Sequence, residues 1–336
     1  MGERIAGARY AFRVAHAAAP MVRVRYRYGV PVDPWGFPDW TPYARTLVAL
    51  PPALPDLTVD QARVVDVRTA DRVARHTDDP LWTDSVGTPV GWTWAHVARS
   101  RNIALVPVEF HASFRHLGGV STGAARATGR GRATAGRGVT ARRGRTAGEG
   151  DPPRILVAER LSAAAVDAVE DHLRVALPPA YRAFLGRTNG GAPAVPTVHP
   201  GYGFVLDQPL FGVRDDRVQD LGYANAWFGD RLTADWLAIG YVQGGLLAVA
   251  VRGAEVGAVG YLDDDDPRDR DGFTAEDVCA RLLHRVAGDF ASFWAALRPV
   301  PSDLEDLAAS AAAGAEPVTP DGLGALLPAT HRRAAT

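Results

Sequence analysis

Residues Gly91 to Gly119 read GWTWAHVARSRNIALVPVEFHASFRHLGG, and three of the nine histidines of the chain, His96, His111 and His116, fall inside this stretch. Histidine holds a metal or takes a proton near neutral pH, so the clustering points to one site. Trp92 and Trp94 alternate with Thr93 as strand residues do, and they deliver His96 to the end of a strand. Ile103 to Val106 predicts a returning strand, and Pro107 opens a helix that carries His111 and ends near Gly118 and Gly119. His111 and His116 are separated by about 140° on an ideal helix, so both reach one metal only if His116 lies where the helix unwinds.

Outward from this segment the chain divides by charge. Residues 1–150 hold 21 Arg against 12 Asp and Glu, a net of +9, whereas residues 151–336 hold 16 Arg against 26 acids, a net of −10. Such halves are expected to attract each other or a common competitor. All 37 basic residues are arginine, which coding bias explains. A length of 336 residues predicts two domains, and 47% apolar with 22% charged residues is the composition of a soluble globular protein. The single cysteine, Cys279, excludes an internal disulfide framework, and its spacing to Val278, Leu282 and Val286 suggests a buried, inert thiol on a helix. No apolar run has the length of a membrane span, and the start MGERIAGARYAFRVAHAAAP lacks the continuous apolar segment of a signal peptide. A cytoplasmic location is the expectation.

From Ser121 to Gly150 the chain has almost no large apolar residue and carries seven arginines against one acid, Glu149. It cannot bury a core, and 123–152 is assigned as an Arg/Gly/Ala-rich flexible linker; a nucleic-acid-binding arm is the alternative, but aromatic residues for base stacking are absent. Ahead of it, Met21 to Tyr28 alternates like a half-exposed strand, Thr46 to Leu50 is a short apolar run, and Thr58 is placed as the N-cap of a helix. After it, Ser162 caps an amphipathic helix, Pro178 and Pro179 open another that ends at Asn189, Gly190 and Gly191, and GYGFVL, WLAIGYV, LLAVAV and VGAVGYL predict strands. A helix with Phe290, Phe293, Trp294 and Leu297 closes this part. The fold class is therefore α+β in two domains: a small strand, strand, helix unit of ββα-metal nuclease outline, and an α+β unit with an antiparallel sheet and packed helices. Residues 301–336 are expected to hold a short helix begun by a capping box, Ser302 with Glu305, followed by a frayed tail.

The blocks GFPDWTPYA, GWTWAH, LVPVEFH and RHLGG, in that order, resemble the WHH family of HNH/endonuclease VII-like nuclease toxins from bacterial polymorphic toxin systems; residues 1–122 are assigned to that domain. The resemblance implies a metal-dependent endonuclease with DNA as a partner, in which His96 is the general base that activates water and His111 and His116 are metal ligands for a divalent ion such as Zn, Mg or Ni. Two positions depart from the pattern. Ala95 stands at the first histidine of the Trp-His-His triplet and has no donor atom, and Ala104 stands where the family shows glutamine. Loss of one of three protein ligands weakens a metal site severely, so reduced or abolished turnover is expected.

The blocks LPPAYRAFLGRTNGG, WLAIGYVQGGLLAVAV, VGYLDDDDP and DFASFWAAL resemble the SUKH superfamily, small α+β domains many of which are immunity proteins that neutralise toxin nucleases; residues 153–300 are assigned to it. Nothing in this half reads as catalytic, and His172, His199 and His284 are scattered on different elements. Asp263, Asp264, Asp265 and Asp266 read as a solvated turn, not a metal site, and as the partner-binding loop that competes electrostatically with a phosphate backbone. The expected function is a toxin and immunity fusion, with the partner nuclease in cis or in trans and with no membrane association and no nucleotide cofactor. The alternatives are an active metal-dependent endonuclease restrained in cis and a DNA-binding adaptor using the basic linker.

Overall fold

A computed structural model of the chain describes residues 37–113 and 148–328, apart from 84, 86, 230, 265, 267 and 270–272, together with 9–10, 26, 28–31 and 331. The strand, strand, helix unit forms as its alternation and its proline require. In the N-terminal half β1 (Thr46–Ala49), α1 (Val59–Arg75), β2 (Trp92–His96), β3 (Asn102–Pro107) and α2 (Val108–Ser113) follow one another. Thr58 caps α1 in a reciprocal capping box: its hydroxyl accepts from the Gln61 amide, and the Gln61 side chain accepts from the Thr58 amide. One face of α1, with Val67, Ala70, Val73 and Ala74, packs on Val48, Trp92, Trp94, Ile103 and Leu105 of the sheet. In the antiparallel β2–β3 pair Thr93 stands opposite Val106 and Ala95 opposite Ala104, so those residues share the other face. Of the strand expected over Met21 to Tyr28, only Tyr26 and Tyr28 lie among the described residues, and both sit in bend or turn backbone.

The C-terminal half begins with α3 (Ala163–Leu173), capped by Ser162, and α4 (Pro179–Thr188), whose proline opens the first turn and whose cap Asn189 is left-handed at φ 45°. After α5 (Leu221–Trp227), the strands β4 (Trp236–Val242), β5 (Gly245–Ala250) and β6 (Val259–Asp263), then helix α6 (Ala275–Arg281), strand β7 (Leu283–Ala287) and helix α7 (Phe290–Ala296) complete it. The four strands form one antiparallel meander, β4-β5-β6-β7. Tyr181 and Phe184 of α4 meet Phe290, Phe293 and Trp294 of α7 in the core, with Phe184 and Phe290 ring centroids 4.5 Å apart. Cys279 is half-buried, and burial raises its thiol pKa; Val286 lies on β7, not on the helix of Cys279.

The chain then returns to its first half. Helix α8 (Ser302–Ala312) places Leu304 and Ala308 against Val64 and Val65 of α1, and β8 (Glu316–Val318) pairs antiparallel with β1. The first sheet is thus ordered β8-β1-β3-β2, and the expected frayed tail is in its described part an ordered edge of the N-terminal half. The capping box expected at Ser302 is absent as well. Pro301 occupies the cap position, and Glu305 bonds Arg68 and Arg72 of α1 at 2.9 and 2.6 Å. An interhelical ion pair with a mostly buried guanidinium outcompetes a local cap.

Candidate functional site

The alternation of β2 sends its residues to two different surroundings. His96 turns toward α1, where its Nε2 lies 3.0 Å from Asp66 Oδ2, and Asp66 also accepts from Arg101 at 3.0 and 2.7 Å. Burial pushes the Asp66 carboxyl up, but its bonds to His96 and Arg101 outweigh that and leave its pKa below the usual carboxylate value. Trp94 follows His96 toward α1 and donates its indole N–H to Asp71 at 2.9 Å.

Thr93 and Ala95 face the C-terminal half. There the turn between β4 and β5, Gln243 and Gly244, sits against them: Gln243 Oε1 accepts from Thr93 Oγ1 at 3.0 Å and from the Trp94 amide at 3.2 Å. Gly244 takes φ +88°, which a side chain would resist, and a Cβ there would meet the Arg63 guanidinium at 3.2 Å. His111, on α2, is buried against Trp40 with ring centroids 5.1 Å apart, and its Nδ1 lies 3.6 Å from Asp264 Oδ2. Arg63 of α1 lies 3.5 Å from Asp263. His96 and His111 thus line one small cavity, together with Arg63, Val67, Trp94, Ala95, Gln243 and Gly244. It encloses about 10 Å³, room for about one water and not for a phosphodiester.

Of the residues singled out from sequence, His96 and His111 come together, and His116 lies outside the described residues. The acidic turn divides. Asp263 and Asp264 face Arg63 and His111, whereas Asp266 is bonded to Arg268 and lies 3.8 Å from His284; Asp265 lies outside the described residues. The turn is also less solvated than expected, since Asp264 and Asp266 are buried. Among the described residues no group of three or more His, Cys, Asp or Glu side chains is arranged to hold a metal ion, and Ala95 adds no donor beside His96 and His111. The described donor set does not fit a three-ligand metal site.

Sequence reasoning missed the polar seam beside this cavity. Asp71 of α1 and Asp207 of the C-terminal half are both buried, bridged by Thr88, whose hydroxyl donates to Asp71 at 3.1 Å and whose amide donates to Asp207 at 3.0 Å. Burial and the neighbouring Asp71 charge push the Asp207 carboxyl up to about 6. Burial also raises Asp71, against the pull of Arg68 and the Trp94 and Thr88 bonds. No motif spacing marks these residues; the one signal is the run of charges at 60, 63, 66, 68, 71, 72 and 75 along α1. An apolar cluster continues across the same seam, from Tyr26, Trp40 and Phe110 to Trp227, Phe228 and Tyr241.

Comparison with known families divides the chain at the same place. Residues 84–126 match the family model described as a nuclease of the HNH/ENDO VII superfamily with conserved WHH, a segment that includes β2, β3 and α2. Residues 160–295 match the SMI1/KNR4 family (SUKH-1), which includes α3 through most of α7. Each half is therefore similar to the family its motifs suggested, within one mixed α and β chain whose sheets are antiparallel. No curated protein matches the chain. Among the described residues no helix is long and apolar enough to cross a membrane.

Proposed function

We propose that this chain is a toxin and immunity fusion in which the SUKH-1-like half covers and silences the WHH-like hairpin in cis. The observation that carries this reading is the small volume of the cavity: the Gln243–Gly244 turn sits on the hairpin beside His96 and His111, leaving room for about one water. In the reading, Asp263 and Asp264 stand beside Arg63 and His111 where a scissile phosphate would lie, a carboxylate in place of a phosphate anion. His96 keeps the position of a general base, oriented by Asp66, but faces a site closed to substrate. His111 and His116 would be the metal ligands and DNA the substrate of an ancestral, open site, whose metal-binding capacity Ala95 has reduced. A partner nuclease supplied in trans would meet a surface already filled.

A plasmid-nicking assay on the full chain with added Mg, Zn or Ni tests this. No cleavage is expected with any of the three ions. Cleavage by the wild type that disappears in His96→Ala would overturn the silencing and establish an active metal-dependent endonuclease.

A further inference from the structure

We infer that the C-terminal half recognises the hairpin through the main chain of its edge strand. The inference rests on the immunity-type reading above and adds what such a half reads in its partner. Strand β2 ends the order β8-β1-β3-β2, so the main-chain groups it turns away from β3 need partners once they are buried. Three side chains of the C-terminal half supply partners to two such groups, the Trp92 carbonyl and the Trp94 amide, and to the amides of Thr88 and Gly91 in the segment that leads into the strand. Asp207 accepts from the Thr88 amide at 3.0 Å. Gln208 accepts from the Gly91 amide at 3.1 Å through Oε1 and donates to the Trp92 carbonyl at 2.6 Å through Nε2. Gln243 accepts from the Trp94 amide at 3.2 Å.

A glutamine side chain carries the same donor and acceptor as a peptide unit, so Gln208 stands where the backbone of a neighbouring strand would. The three residues act together: Asp207 and Gln208 are consecutive, and Gln243 Nε2 donates back to Asp207 at 3.3 Å. Of the strand side chains, Thr93 contributes a hydrogen bond, through Oγ1 to Gln243, while Ala95, Ala104 and Val106 contribute apolar packing. The fit also demands an absence. A Cβ at Gly87 would lie 2.5 Å from Asp207 Cβ, so a glycine must precede the strand. The partner that suits this surface is an exposed edge strand of a nuclease-type hairpin with a glycine ahead of it and small residues, here Ala95 and Ala104, on the face it turns to this half.

Amide hydrogen exchange on the full-length chain tests the inference, with Gln208→Met and Gln243→Met keeping side-chain volume while removing the amide. The Gly91 amide should exchange about ten-fold faster in Gln208→Met and the Trp94 amide about ten-fold faster in Gln243→Met, with the Val106 amide unchanged as a control. Should the methionine variants fail to fold, Gln208→Asn and Gln243→Asn, one methylene too short to reach, give the same readout. Unchanged protection at Gly91 and Trp94 in folded variants overturns the inference. Glutamine-dependent protection in a chain that nonetheless nicks DNA leaves it standing and removes only the silencing reading.

Discussion

At the scale of single residues the most consequential pair is Asp71 and Asp207, one carboxylate from each half, joined by Thr88. Burial, and after it the neighbouring Asp71 charge, raises the Asp207 carboxyl to about 6. The raised value makes the native state bind more protons than the unfolded chain between the ordinary carboxylate range and about 6. The contribution of Asp207 is therefore most favourable below that window and is lost as pH rises through it. Relative to Asp207→Asn, the wild type is expected to lose up to about 3 kcal/mol of unfolding free energy between pH 4 and pH 7. Urea denaturation of both proteins across that range checks this; parallel curves would contradict the assignment.

At the scale of elements the β2–β3 hairpin brings together Ala95 and Ala104, the two positions expected from sequence to depart from the family pattern. Ala95 and Ala104 are cross-strand neighbours, at most 2% exposed, and form one layer facing the C-terminal half. A histidine in place of Ala95 would have to enter a cavity of about 10 Å³ already bounded by Gln243 and Gly244. The small residue thus suits the closed arrangement sterically, beyond merely lacking a ligand atom. Ala95→His is expected to destabilise the chain by about 1–3 kcal/mol through overpacking, read as a lower melting temperature, without nuclease activity in the closed chain. An unchanged melting temperature would mean that the cavity opens freely. The hairpin was legible from sequence because strand alternation and the proline at a helix start are local signals. Helix α1 was legible only at its cap, because α8 covers one side of it and the sheet another, and several of its charged residues, Arg63, Asp66, Arg68 and Asp71, are buried in contacts instead of marking a solvent face.

At the scale of the whole molecule the two halves interlock. The segment after the SUKH-1-like match returns as α8 and β8, completing the sheet of the WHH-like half and pairing Glu305 with Arg68 and Arg72. A chain ending at residue 300 would expose Val64 and Val65 and leave β1 as an open edge. It is expected to melt more than about 10 °C below the full chain or to aggregate; a melting temperature equal to the full chain would show the return segment to be dispensable. The opposite charges of the halves, +9 and −10, foretold an attraction, but not its form. Sequence by itself determined the hairpin, three of the four strands of the antiparallel meander, the caps at Thr58 and Ser162 and the placing of His96 and His111 on neighbouring elements, since each depends on periodicity or on a few adjacent residues. Only the tertiary structure decided that Gln208 and Gln243 hold the strand edge, that Asp71 meets Asp207 and that the last strand joins the first sheet. Those contacts join residues more than 100 positions apart through main-chain groups and single polar side chains, which carry no period and no motif until burial obliges each donor to find its acceptor.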